Sequence, residues 1–369
     1  MKALLSSASR LVAASALTVA GLSLAATSAH ASGSSVNVVG YSIVKNAYTA
    51  LETAFKATPD GAGVSFTNSF GASGTQAANV AAGQAADVVN LSLEPDVATL
   101  VTAGKVASNW TTQSLKYANV NPALRGKNQT TVYATPGIVT DSIVVFVVRP
   151  GNPKNITQWS DLTKSGVSII TPDPRSSGSA KWNLLAAYTS QVSLGKTTNK
   201  SEDFLKSLLG NVTSQPTSGS LALASFLAGN GDVLLSYESD ALAAKAAGKA
   251  LDIVTPPQSL LIENPLALTK TGESNTAAVA FYKFLLSTAG QTIWAQQGYR
   301  PVLKAVASSS NSSFPKFSTA RSLLQVSSIN AKGWSTVDPL FFSPTVTFGK
   351  DKSHPTQGIV TYLEQQTGH

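Results

Sequence analysis

The sequence contains one stretch whose residue types suit the binding of an oxyanion. Residues 171–183 read TPDPRSSGSAKWN and connect an apolar segment at 167–170 to residues 184–188, whose spacing predicts a helix. The first backbone N–H groups of a helix have no partner within it, and the helix dipole adds partial positive charge at that end. A small-residue turn between a strand and a helix therefore presents several donors at one point, which suits an anion.

Two further segments have the same design. Residues 69–75 read SFGASGT between a predicted strand and a predicted helix, and residues 217–220 read TSGS before a helical run at 221–227. Serine caps and glycine turns are common, so one such segment alone would be structural. Three in an α/β chain indicate a ligand crevice, because the carboxyl ends of parallel strands face such a crevice. Tyr237, after a predicted strand at 233–235, could add a phenolic donor.

The elements that must position these segments alternate between strands and helices, which predicts a mostly parallel sheet with helices on both faces. Residues 142–148 read SIVVFVV, a continuous apolar run typical of a buried strand. A second α/β series follows it, so we predict two lobes, with the chain crossing between them near 141–150 and again near 253–265. A helix is predicted over 276–296, and the Ser/Asn-rich residues 308–313 are predicted to be a loop.

These crossings divide the chain into five predicted parts. They are a signal peptide at 1–31, the first part of lobe 1 at 32–144, lobe 2 at 145–254, the second part of lobe 1 at 255–305, and a C-terminal tail at 306–369 that packs on the body. The tail contains several large aromatic side chains, which is why we expect it to pack.

The N-terminal segment has the pattern of a secretory signal. Lys2 and Arg10 give a positively charged N-terminal region, and residues 11–26, which follow it, are apolar and small. Residues 29–31 read AHA, the A-x-A pattern of a cleavage site. We expect cleavage before Ser32. The chain has no cysteine, which excludes disulfides and a lipid-modified cysteine. We therefore predict a free periplasmic or secreted protein whose fold is stabilised by its own core.

Composition and charge exclude several classes of function. The formal net charge is +8, but lysine and arginine form no runs and no basic stripe contains aromatic residues, so we expect no nucleic-acid partner. A diffuse positive field instead favours anionic ligands. Of the three histidines, His30 leaves with the signal, His369 is the last residue, and His354 lies in a lysine-rich segment.

None of these histidines lies where the sequence predicts a catalytic or metal site. No G-x-S-x-G elbow appears in a strand–turn–helix context, and a zinc site lacks both cysteines and histidines. We predict no enzyme activity, no catalytic residue, no metal and no cofactor, and we expect a monomer. A secreted hydrolase and a cell-surface adhesion protein stay as alternatives, although the chain lacks the repeats that would favour adhesion.

Several spaced segments resemble the periplasmic sulfate-binding proteins, the substrate-binding components of sulfate and thiosulfate ABC transporters. The matching blocks are residues 169–183, 71–77 with 86–89, 147–154 with 159–162, 231–234, 253–256 and 298–301. The blocks occur in the same order and span most of 36–305. The resemblance implies a two-lobed periplasmic-binding-protein-like fold that captures sulfate between its lobes, and permease subunits of an ABC importer as partners.

The resemblance also implies a set of anion-binding residues. They are Ser42, Ser73, Ser177, Gly178, Ser179, Ser220 and Tyr237. Hydroxyls of Ser73 and Ser177 would donate to the anion, and backbone N–H groups would come from Gly178, Ser179 and the helix start at Ser220.

Two of these positions depart from the family's pattern. Ser42 stands where the family usually has aspartate, and Tyr237 stands where it usually has an anion-binding tryptophan. An indole N–H can only donate, whereas a phenol can also accept a hydrogen bond. The ligand therefore stays open between sulfate and another tetrahedral oxyanion: thiosulfate, molybdate, tungstate or phosphate.

Overall fold

The computed structural model describes residues 34–118, 136–310, 314, 322–345 and 357–369. The predicted signal peptide at 1–31 and His354 lie outside the described residues. Within the described ranges, none of the helices has the length and apolar character that crossing a membrane requires.

Strands and helices alternate along most of the chain, as the predicted α/β class requires. The strands are β1 (Ser35–Tyr41), β2 (Ser65–Gly71), β3 (Val88–Asn90), β4 (Ile138–Val148), β5 (Ile169–Ile170), β6 (Val212–Ser214), β7 (Val233–Tyr237), β8 (Asp252–Val254), β9 (Gln258–Leu268), β10 (Arg300–Pro301) and β11 (Ser322–Leu324). The helices are α1 (Lys45–Lys56), α2 (Ser73–Ala81), α3 (Glu94–Thr102), α4 (Gln113–Ala118), α5 (Gly178–Ser193), α6 (Thr198–Leu209), α7 (Gly219–Leu227), α8 (Glu238–Ala246), α9 (Lys270–Ser274), α10 (Thr276–Leu286), α11 (Thr288–Gln296), α12 (Lys304–Ser310), α13 (Trp334–Phe342) and α14 (Ile359–Thr367).

The main sheet has the hydrogen-bonded order β2-β1-β3-β9-β4-β7-β5-β6. Strand β1 runs parallel to β2 and β3, and β5 runs parallel to β6 and β7. The parallel order is interrupted in the middle, where β4 and β9 pair antiparallel with each other and with their outer neighbours. The helices α2, α5 and α7 begin at Ser73, Gly178 and Gly219 and follow β2, β5 and β6, at the carboxyl ends of parallel strands.

Strands β4 and β9 join the two ends of the sheet. The first half of β4 pairs with β9, from Ile138 to Ile143, and its second half pairs with β7, from Val144 to Val148. All residues of β4 are buried, as its apolar sequence predicts for a strand covered on both faces. Each predicted crossing contains part of β4 or β9. The lobe boundaries themselves stay a prediction.

Two local sequence predictions were wrong. The helix predicted over 276–296 is divided at Ser287, whose side chain accepts a hydrogen bond from Gly290 N at 3.1 Å and so caps α11. Serine is a strong N-cap, and a new helix begins there although the apolar spacing continues. The predicted loop at 308–313 begins as helix, because α12 extends to Ser310, and residues 311–313 lie outside the described part of the chain.

The C-terminal segment packs against the helix that begins at the candidate site. The Trp334 ring of α13 meets the Trp182 ring of α5 edge to face at a centroid distance of 4.8 Å. Next to it, Lys181 Nζ lies 2.7 Å from Asp338 Oδ1. Strand β11 adds to the sheet by pairing in parallel with β9. Helix α5 is therefore supported by chain that lies far away in sequence.

Candidate anion-binding site

The helices α2 and α5 begin without a side-chain cap. The N-cap residue of α2 is Ala72, which has no acceptor, and the Ser177 side chain at the N-cap of α5 makes no capping hydrogen bond. By contrast, Thr197, Asn275 and Ser287 cap α6, α10 and α11. The first N–H groups of α2 and α5 have no partner within their helices. They are thus suited to a ligand that accepts hydrogen bonds.

The serines at the start of α5 are buried and bonded to each other. Ser177 Oγ and Ser179 Oγ lie 2.9 Å apart, and the two residues are 3% and 5% exposed. Between them, Gly178 is packed so closely that a Cβ atom there would lie 2.6 Å from Ser92 Cβ and Oγ. Only glycine allows this approach of α5 to the end of β3.

Ser73, the first residue of α2, is also buried and fully engaged. Its hydroxyl donates to Asp96 Oδ2 at 2.5 Å and accepts from Ser92 N at 2.8 Å. The segment that carries Ser73 also contacts the α5 segment directly, because Gly74 N donates to Ser176 O at 3.1 Å. Two of the three predicted anion-binding segments are therefore hydrogen-bonded to each other.

The third segment lies against both Ser42 and α5. A Cβ atom on Gly219, the first residue of α7, would lie 2.7 Å from Ile43 Cδ1 and 2.9 Å from Ser179 Oγ. Ser220 N donates to Ser42 Oγ at 3.3 Å. The N–H group that the resemblance assigns to the anion is here bonded to the Ser42 hydroxyl oxygen.

Tyr237 lies at the end of β7 and is completely buried. Its hydroxyl oxygen is 2.6 Å from Ser92 Oγ, and its ring is 6.1 Å from the Tyr41 ring. Burial raises the pKa of Tyr237 well above its ordinary value, although the interaction with Ser92 lowers it. The phenol therefore remains protonated and neutral at physiological pH, and it has one hydrogen to donate.

Sequence reasoning missed Ser92, Asp96 and the role of Trp182. Ser92 contacts the segments of Ser73, Gly178 and Tyr237, and its carbonyl oxygen accepts from Trp182 Nε1 at 2.9 Å. Five of the seven predicted residues are thus connected directly or through Ser92: Ser73, Ser177, Gly178, Ser179 and Tyr237. The other two, Ser42 and Ser220, are bonded to each other, and Gly219 lies between them and Ser179. Within the ranges that the structure describes, no group of His, Cys, Asp and Glu side chains has the size to hold a metal ion.

Asp96 introduces a buried carboxyl group next to the serines. Burial raises its pKa to about 6, against the opposing effects of the Ser73 hydrogen bond and Lys181. A raised pKa means that the folded protein holds this proton more tightly than the unfolded chain does. The resulting contribution to stability is full below the ordinary pKa of 3.8 and is lost as pH rises through about 6.

We expect the Asp96→Asn variant to remove this part of the pH dependence. The wild type should lose stability between about pH 4 and about pH 8 as Asp96 ionises, and the variant should not. The difference in free energy of unfolding, variant minus wild type, should therefore rise by on the order of 2 kcal/mol over this range. Urea denaturation of both proteins at the two pH values measures the difference. Identical pH dependence of the two proteins would show that Asp96 has an ordinary pKa.

The chain is similar to a described family of bacterial proteins. Residues 36–300 match a family model described as bacterial extracellular solute-binding protein. The chain belongs to this family. The resemblance read from the sequence is confirmed, and proteins of this family are extracellular by that description.

Several relatives of this solute-binding protein have known ligands by name. The sulfate-binding protein of Escherichia coli K12 is 35% identical over 305 residues, which are 79% of this chain and 87% of that protein. The thiosulfate-binding protein of Pseudomonas aeruginosa PAO1 is 31% identical over 286 residues, 74% of this chain and 80% of that protein. Both cover most of the present chain, and the family match over residues 36–300 includes all three helix starts at the site.

A solved structure confirms the fold of this solute-binding protein. The sulfate-binding protein SubI from Mycobacterium tuberculosis H37Rv has a TM-score of 0.74 and 41% identity, and the match covers 84% of this chain and 100% of that one. A periplasmic thiamin binding protein, at 19% identity and a TM-score of 0.57, shares the fold alone. The predicted α/β, periplasmic-binding-protein-like class is therefore correct.

Proposed function

We propose that this solute-binding protein captures sulfate and delivers it to an ABC importer. The observation that carries the proposal is the convergence of three helix starts, at Ser73, Gly178 and Gly219, on one set of buried serine hydroxyls. The names of the relatives support sulfate in particular. The family description supports capture of a solute outside the cytoplasm, and no catalytic role is proposed.

The charge of a bound sulfate would be balanced by neutral groups. The donors proposed for the anion are the hydroxyls of Ser177, Ser179 and Tyr237 and N–H groups at the start of α2, α5 and α7. The Ser73 hydroxyl, predicted as a donor to the anion, donates to Asp96 Oδ2 instead. The nearest cation on α5 is Lys181, and it is paired with Asp338 at 2.7 Å. Because a fully ionised anion has only acceptors, an array of donors suits it better than a mixed array does.

Capture would proceed by closure of two lobes around the anion. We propose that residues 32–144 with 255–305 form one lobe and 145–254 the other, with β4 and β9 as the hinge. The hydrogen bonds Gly74 N to Ser176 O and Ser220 N to Ser42 Oγ connect residues that this division assigns to different lobes. These bonds support a site that is completed only when the lobes meet.

The remaining expectations complete the proposal. The protein would act as a monomer in the periplasm or outside the cell after removal of residues 1–31, without a lipid anchor. Its partners would be the permease subunits of the importer. A second tetrahedral oxyanion is the alternative ligand. A protonated anion such as phosphate could be tolerated, because the phenol of Tyr237 can accept a hydrogen bond as well as donate one.

Calorimetric titration of the mature protein, stripped of ligand, tests the proposal. Sulfate should bind, and the Ser177→Val variant should bind it at least about 100-fold more weakly, since it loses a buried hydroxyl and adds bulk at the start of α5. Thiosulfate, phosphate and molybdate are titrated in parallel.

Ser65→Val is the matched control, because Ser65 is exposed at the opposite end of β2 and valine suits a strand. It should bind as the wild type does. Tighter binding of another anion than of sulfate would select the alternative ligand, and unchanged affinity in Ser177→Val would remove α5 from the site.

A further inference from the structure

We infer that Ser92 is a positioning residue for anion recognition, which donates to the Tyr237 oxygen and thereby turns the Tyr237 hydrogen toward the anion. The inference rests on the proposed function and deepens it. It assigns a role to a residue that belongs to none of the three helix starts.

The position of Ser92 gives it contact with the whole site. It follows β3 and is 1% exposed. Its main chain makes two of its bonds, from its N–H to Ser73 Oγ at 2.8 Å and from Trp182 Nε1 to its carbonyl oxygen at 2.9 Å. Its side chain makes the third contact, to Tyr237, at 2.6 Å. A substitution of the side chain therefore changes this one bond and leaves the other two in place.

The hydrogens of the Ser92–Tyr237 pair can be counted. Each hydroxyl carries one hydrogen, and only one of the two can lie between the oxygens. The pair therefore always retains a second hydrogen for a third group. If Ser92 donates to Tyr237, the phenolic hydrogen is the one left over. If Tyr237 donates to Ser92, the serine hydrogen is left over instead.

The acidities of the two hydroxyls favour donation by Ser92 when an anion is present. The Tyr237 oxygen lies 2.6 Å from Ser92 Oγ, a distance at which either hydroxyl can be the donor. A phenol is a stronger acid than an aliphatic hydroxyl, so it is the better donor to an anion. Donation from Ser92 polarises the phenol and strengthens its own donation further.

A double-mutant cycle with sulfate tests the inference. Ser92→Ala and Tyr237→Phe should each weaken sulfate binding about tenfold, the effect of losing one hydrogen bond to a charged group. The double variant should bind no more weakly than Tyr237→Phe alone, because Ser92 acts through Tyr237. Losses that multiply in the double variant, or full affinity in Ser92→Ala, would overturn the inference.

The control is Ser201→Ala in α6, which removes another buried serine hydroxyl with a single bond, to Thr197 O at 3.0 Å. It should lower stability without changing sulfate affinity, and an equal loss of affinity in this variant would show that Ser92 has only a structural role. The wild-type titration in the same series distinguishes failure of the sulfate proposal from failure of the role inferred for Ser92. If the wild type binds thiosulfate or phosphate instead of sulfate, the sulfate proposal fails and the cycle is measured with that anion.

Discussion

Replacing Gly178 with alanine is expected to weaken anion binding about 10- to 100-fold. The new Cβ atom would lie 2.6 Å from Ser92 Cβ and Oγ and 3.0 Å from Leu93 Cγ. Ser92 Cβ is attached directly to the main chain, so it cannot move aside as the end of a long side chain can. The start of α5 must therefore withdraw from the end of β3, and the donors on the two elements can no longer surround one anion.

Alanine substitutions at two other glycines serve as comparisons for Gly178→Ala. Gly219→Ala should have a smaller effect, because its nearest neighbour at 2.7 Å is the flexible end of the Ile43 side chain. Gly210→Ala should have none, since the nearest atoms would lie at ordinary contact distances of 3.5 and 3.6 Å. Calorimetric titration of the three variants should give this order of affinity loss. Wild-type affinity in Gly178→Ala would contradict the packing described here.

Replacing Arg300 with methionine is expected to lower the free energy of unfolding by about 3–5 kcal/mol. Arg300 holds Glu238 with two hydrogen bonds, Nε to Oε2 at 2.6 Å and Nη2 to Oε1 at 2.9 Å. Glu238 is 1% exposed, and burial already raises its pKa against the opposing effect of Arg300. Without the guanidinium group, a buried carboxylate is left without its cation at the first residue of α8, directly after Tyr237.

Urea denaturation at neutral pH measures this loss. The added Glu238→Gln change should restore much of the stability of Arg300→Met, because the uncompensated buried charge is then removed. Arg175→Met is the control, since Arg175 is exposed and its pair with Asp173 should contribute less than about 1 kcal/mol. Equal effects of Arg300→Met and Arg175→Met would show that the pair with Glu238 behaves like a surface ion pair.

The sequence predicts the outer parts of the fold better than its middle. The parallel strands β1 to β3 and β5 to β7 alternate with helices whose apolar spacing is regular, and that spacing can be seen in one sequence. The antiparallel pairing of β4 with β9 joins residues 138–143 to 261–265, and no local pattern encodes it. The break at Ser287 was missed because the apolar period continues through it.

The candidate site shows the same division. The residues at helix starts could be predicted, because glycine and serine between a strand and a helix have a recognisable pattern. Ser92 and Asp96 could not, because their roles depend on partners brought together by the fold. Ser92 and Tyr237, for example, are 145 positions apart. A single buried serine after a short strand carries no local signal of such a partner.

The uncapped starts of α2 and α5 imply a compromise between stability and function. An aspartate or serine at position 72 would give α2 the acceptor that Ala72 does not provide, and caps of this kind typically stabilise a protein by about 1 kcal/mol. The same side chain would compete for the N–H groups proposed to receive the anion. Selection for thermal stability alone would thus be expected to add a cap there and to weaken ligand capture, so position 72 is one that stability engineering of this protein should leave unchanged.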